Sequence, residues 1–277
     1  MALSVGLVLA GVVSSASHAA FVRYVVTAID VEHEGAAGST PLTVYTLSAR
    51  FDGPKDAVIL AFRLKSDKPD NFAGFWHKDA LSAPSEDELP ALSQTKGTWS
   101  PAQVLRPKQN RPFDSYLTIG GVAMTANGTI ADPSWSKAPA TSPDGTPDTR
   151  GWSRADLPAN GITGWYAVAA PANTPGRVGT SPQDEINGKP TLENPATDVR
   201  LAQFVLSRGH APREFTLTVA FSDGTEGKPQ EYATGTFVLG AGAASSTAAP
   251  QPAAAPSPST DQPANNSDLP QTPSGNG

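Results

Sequence analysis

Histidine is the side chain that titrates closest to neutrality, and it occurs four times, as His18, His33, His77 and His210. None stands in an HExxH or HxH ligand pattern. No GxSxG segment marks a nucleophilic serine on a strained turn. Cys is absent, which removes thiol nucleophiles, disulfides and thiolate metal sites together. The densest acidic cluster is Glu86, Asp87 and Glu88. It falls in the first turn of a short helix expected over Pro84 to Leu92, where Ser85 and Glu88 have capping-box spacing and the helix dipole accounts for the charge. Hydrolase chemistry would need His33, His77 or His210, or two facing carboxylates, to meet in one concave pocket. The region Asp70 to Asn160 is where long loops could bring that about.

Two loops carry oxygen ligands at short spacing. SPDGTPDTRG holds Asp144 and Asp148, and SDGTEG holds Asp223 and Glu226. Ca²⁺ could accept either set, although neither has EF-hand spacing and Asp-Gly is also ordinary turn chemistry. Four of the five Trp, namely Trp76, Trp99, Trp135 and Trp152, lie in the irregular stretch before Gly164. Exposed in one groove, they would stack on sugar rings; folded inward, they would give the loops a core of their own. Asn127, Gly128 and Thr129 form a glycosylation sequon that also reads as a turn.

The elements that must position these residues are strands. FVRYVVTAIDVE (21–32), LTVYTLSARF (42–51) and AVILAFRLK (57–65) are rich in β-branched and aromatic residues and are separated by Gly, Pro and Asp turns. SYLTI (115–119), GWYAVA (164–169), VRLAQFVL (199–206), EFTLTVAF (214–221) and YATGTFVL (232–239) bring the expected count to about eight. In EFTLTVAF, Phe215, Leu217, Val219 and Phe221 share one face and Thr216, Thr218 and Ala220 the other. That is the period-two pattern of a strand with one packed and one solvated face. No amphipathic helix of crossover length is present, which disfavours an α/β sheet. The expected fold is an all-β, antiparallel β-sandwich of Greek-key or jelly-roll type, with long loops, over residues 20–239.

The two ends differ from this middle. LSVGLVLAGVV (3–13) is uncharged and is followed by small residues, with Ser17 and Ala19 where a signal peptidase needs them, so residues 1–19 read as a signal peptide. Eleven apolar residues are too few to span a bilayer, and no later segment is apolar enough, so no membrane span is expected in the mature chain. Residues 240–277 are mostly Ala, Pro, Ser, Thr, Gln, Asn and Gly, and read as a disordered tail or spacer. A net charge of −6 argues against a nucleic-acid partner. Gly and Pro make up 52 of the 277 residues, consistent with a loop-rich folded protein.

FDSYLTIGG (113–121), NGT (127–129), DPSW (132–135), GW (151–152), GWYAV (164–168) and LAQFVLS (201–207) follow an opening run VYTLSARFDGPKDAVILAF. This succession resembles functionally uncharacterised secreted proteins of planctomycete-type bacteria. The resemblance implies a β-sandwich behind an export signal and supplies no catalytic residue to carry over.

Together these features lead to the expectation of a secreted, non-enzymatic structural or adhesive protein of the cell surface or extracellular matrix. No cofactor is expected, although either acidic loop could hold Ca²⁺, and its partners would be extracellular polysaccharide or other surface proteins. A carbohydrate-binding module is the second reading and an extracellular polymer hydrolase the third.

Overall fold

The computed structural model of the chain describes residues 20–79, 82–83, 89–100, 111–121, 129–131, 156–159, 161, 164–167, 176–224, 229–241 and 251–252. Its strands are β1 (Phe21–Gly35), β2 (Gly38–Phe51), β3 (Ala57–Lys65), β4 (Tyr116–Leu117), β5 (Thr129–Ala131), β6 (Gly164–Ala167), β7 (Glu185–Ile186), β8 (Lys189–Pro190), β9 (Asp198–Ser207), β10 (Arg213–Ser222), β11 (Glu231–Leu239) and β12 (Gln251–Pro252). All eight expected strands are present. The fold is all-β, with every strand pairing antiparallel. The described residues hold only short 3₁₀ turns as helical structure, at Pro69–Phe72 and Arg111–Phe113 among them. The expected helix over Pro84 to Leu92 lies mostly outside the described residues, and Leu89 to Leu92 are not helical.

The strands form two sheets ordered β1-β2-β9-β4 and β12-β11-β10-β3-β6-β5, with a separate hairpin β7-β8. The chain leaves the first sheet three times, from β2 to β3, from β4 to β5 and from β9 to β10. Because β2 pairs with β9 and β3 with β10, the first and last of these crossings run side by side. The sheets face each other across one core, in which Tyr24, Leu47, Phe51, Leu201 and Phe204 of the first meet Val58, Leu64, Phe215, Val219 and Phe237 of the second. Polar groups tie the layers where they enter this core, since a buried donor without an acceptor is costly. The Tyr24 hydroxyl donates to the Leu217 carbonyl at 3.0 Å, and Trp165 Nε1 donates to the carbonyls of Thr118 and Leu201 at 3.0 and 3.1 Å.

A second layer covers the outer face of the first sheet. Ile29, Val31, Leu42, Val44 and Val205 pack there with Ile186 of β7, against Trp76, Leu92 and Phe113. Every residue from Leu42 to Ala49 is therefore buried, on both faces of β2. Arg200 also lies on β9, wholly buried, and binds the hairpin region through Nη2, which donates to Thr191 Oγ1 at 2.6 Å. In β10 the expected solvated face is only partly realised. Thr216 is half-buried, while Thr218 and Ala220 are buried between β3 and β11.

Residues 1–19 lie outside the described residues. So does most of 240–277, where Gln251 and Pro252 pair with Thr234 and Ala233 on the edge of β11. Among the described residues no helix is long and apolar enough to cross a membrane.

A buried histidine–carboxylate cluster as candidate functional site

The segment Phe75-Trp76-His77-Lys78-Asp79 runs extended past the end of β9. Trp76 N–H donates to the Val205 carbonyl at 2.9 Å, and His77 exchanges two backbone hydrogen bonds with Ser93, at 2.8 and 3.0 Å. In an extended chain alternate side chains share a face. Phe75, His77 and Asp79 accordingly turn inward and are fully buried, while Trp76 and Lys78 are half-buried. The inward face meets Asp114, which precedes β4 and is also fully buried. One nitrogen of His77 and one carboxylate oxygen each of Asp79 and Asp114 lie within 4.8 Å of one another.

The surroundings orient each of the three. Lys78 N–H donates to Asp114 Oδ1 at 2.9 Å, and Gln203 Nε2 donates to the Asp114 carbonyl at 2.7 Å. Thr98 N–H donates to Asp79 Oδ2 at 2.5 Å, and the Ser82 hydroxyl lies 3.5 Å from Asp79 Oδ1. The Trp99 ring stands edge-on to the His77 imidazole, with centroids 4.8 Å apart at 89°. His77 Nδ1 is 3.7 Å from Asp114 Oδ1. Burial pushes the Asp114 carboxyl above its ordinary range, and the hydrogen bond and charge of His77 oppose that only in part. Asp114 Oδ2 is buried without a hydrogen-bond partner.

Few of the residues singled out in the sequence meet. Lys78 Nζ donates to His33 Nε2 at 2.8 Å, and the His33 ring stands edge-on to Phe113. Burial, and then the Lys78 charge, lower its pKa. His210 lies beside Arg213, whose Nη2 is 2.6 Å from His210 Nε2. The three histidines therefore occupy three separate settings. Glu86, Asp87 and Glu88 lie outside the described residues, so the pairing with His77 that a hydrolase would use falls outside them too. A groove of about 410 Å³ lined by Lys65, Lys68, Asn71 and Glu214 includes none of the clustered residues.

Of the four Trp that would either stack on sugars or pack inward, Trp99 is fully buried between Phe75, His77 and Phe204, so it presents no face to a sugar. A large aromatic ring placed beside the end of the sheet removes more area from water by packing inward than by standing exposed. Trp76 is half-buried against the second layer, and its Nε1 donates to Ser207 Oγ at 3.1 Å. Trp135 and Trp152 lie outside the described residues, as do Asp144, Asp148 and Glu226. Asp223 is half-buried in the turn after β10.

The sequence reading passed over Asp79 and Asp114. The available signal was His-x-Asp in an extended segment, which puts two ligand-type side chains on one face. Comparison with protein-family models, curated proteins and solved structures finds no match to this chain.

Proposed function

We propose that this chain is an exported, non-enzymatic structural or adhesive component of the cell surface or extracellular matrix. The observation that carries the reading is the closure of its chemistry-bearing cluster. His77, Asp79 and Asp114 are all at 0% exposure, with the Trp99 ring edge-on to His77, so none of the three presents a surface to a polymer substrate. Catalytic groups work on substrates in concave, accessible sites. A cluster sealed in this way acts on the protein's own architecture. The double layering of the first sheet supports the same role, because it raises the share of chain buried around long connections.

The test follows the tagged full-length chain in its native cells. The reading expects it in the surface or medium fraction, and expects its deletion to weaken cell cohesion or attachment. Retention in the cytosol would overturn it, as would turnover of an extracellular polymer by the purified protein.

A further inference from the structure

We infer that His77, Asp79 and Asp114 form a structural binding site for one divalent transition-metal ion, of which Zn²⁺ is the representative. The inference is independent of where the protein resides.

The first argument is charge. Among the described residues, two carboxylates are fully buried beside one imidazole. A charge taken into the interior is tolerated when it is paired or coordinates a metal. Among the described residues, the Lys78 ammonium is directed at His33 and over the Phe113 ring rather than at Asp114. A divalent cation bound by two carboxylates and a neutral imidazole leaves the site with no net charge.

The second argument is the arrangement of the remaining lone pairs. Asp114 Oδ1 takes the Lys78 N–H, while Oδ2 of the same carboxylate is buried with no partner. Asp79 Oδ2 takes the Thr98 N–H. These backbone donors, from two chain segments, have the position of outer-shell groups that fix ligating carboxylates. Trp99 fixes the plane of the imidazole in the same way.

The third argument is size and donor type. Donor atoms within 4.8 Å of one another would share one ion by drawing in to about 3.3–3.6 Å, since Zn–N and Zn–O bonds are about 2.0–2.2 Å. A mixed imidazole and carboxylate set suits Zn²⁺ and its neighbours better than Ca²⁺, which takes six to eight oxygens. With both Asp114 oxygens engaged, the three side chains provide the four donors of a closed structural site.

The experiment uses the full chain, purified without chelator and then stripped with one. Elemental analysis of the unstripped protein should give about one equivalent of metal. Zn²⁺ added to the stripped protein at about 100 times its Kd should raise the Tm by about 5–10 °C by mass action. Co²⁺ should give visible d–d absorption. D114N and H77Q should abolish all three responses, and H210Q should keep them. D114N also removes a buried charge, so the stripped variant should unfold no lower than stripped wild type, which separates lost binding from lost fold. Stripped wild type that is insensitive to Zn²⁺ and gives no Co²⁺ spectrum would overturn the assignment. A response that survives D114N or disappears with H210Q would do the same, because it would place the ion elsewhere.

Discussion

Gly97 lies directly against the His77 side chain. Its backbone φ is +138°, and a Cβ built on it would overlap Cβ and Cγ of the imidazole. Both facts call for glycine, the first because L-residues seldom adopt that conformation and the second because the two segments touch. Gly97→Ala should therefore lower the Tm by about 5–10 °C, the effect of about 2–3 kcal/mol on a domain of this size. It should also move the His77 ring away from Asp114, which is 3.7 Å from Nδ1. Calorimetry gives the first result, and the imidazole ¹⁵N shifts give the second. A fully stable Gly97→Ala protein with unchanged shifts would show that the contact relaxes freely.

Trp99→Phe tests the burial of the indole. Phe keeps part of the contact with Phe75, His77 and Phe204 but leaves a gap, so a cost of about 1–3 kcal/mol is expected. Polysaccharide affinity gels should show the same mobility for the variant and the wild type. Acrylamide should quench little of the emission from Trp99 and Trp165, both at 0% exposure. Loss of retardation on a polysaccharide gel after Trp99→Phe would restore the sugar-binding role that burial denies this residue.

The strands were legible because their information is local. Phe215, Leu217, Val219 and Phe221 declare a buried face through spacing alone, and all four are in the core. The burial of the opposite face of β10 was not legible in that way. Whether Thr218 and Ala220 face water depends on β3 and β11 lying on either side, and those strands are distant in the chain. The cluster failed for the same reason. That His77 and Asp79 face inward follows from Trp76 hydrogen-bonding to Val205, and Asp114 joins them through Lys78, 36 residues away. The strand pattern SYLTI begins one residue after Asp114, and FDSYLTIGG carries a resemblance rather than a ligand pattern, so neither marks that carboxylate. For Trp99 the sequence leaves both readings open, because composition counts aromatic rings in a loop without saying which way the loop folds, and the structure shows it folded inward.

Asp56 gives the fold a pH dependence of its own. It is at 1% exposure after β2, where its carboxylate accepts the Gly53 N–H at 3.1 Å. Burial pushes its pKa up from 3.8 to about 6, against the lowering effect of that hydrogen bond, and the charges of Asp52, Asp223 and Glu231 push the same way. The folded state thus binds this proton more tightly than the unfolded chain. The stabilisation is complete below about pH 4 and is lost as the pH rises through about 6. Asp56→Asn keeps an oxygen for Gly53 and removes the titration. The Tm difference between variant and wild type should grow in the variant's favour from pH 4 to pH 7. The corresponding difference in unfolding free energy should level off at about 1–2 kcal/mol, less than the full shift implies because solvent screens the neighbouring charges. A difference that stays flat across this range would mean that Asp56 titrates normally.

Ala20 begins the described chain with a reciprocal link to Asp52, donating its N–H to the Asp52 carboxylate at 2.9 Å while its carbonyl accepts the Asp52 N–H at 3.2 Å. If residues 1–19 are an export signal cut after Ala19, that N–H becomes an ammonium already in place beside a carboxylate. Processing would then turn a neutral donor into a charge-assisted one at the start of β1. The pair is exposed, so its contribution should be small, about 0.5 kcal/mol, and should fade with salt. Mass spectrometry of the exported protein should find Ala20 at its N-terminus. Asp52→Asn should lower the Tm of a chain starting at Ala20 by about 1–2 °C at low ionic strength. The same change should have less effect at 1 M salt, and less in the unprocessed chain. An exported protein starting elsewhere, or equal losses in both forms at every salt concentration, would show that the link has no part in maturation.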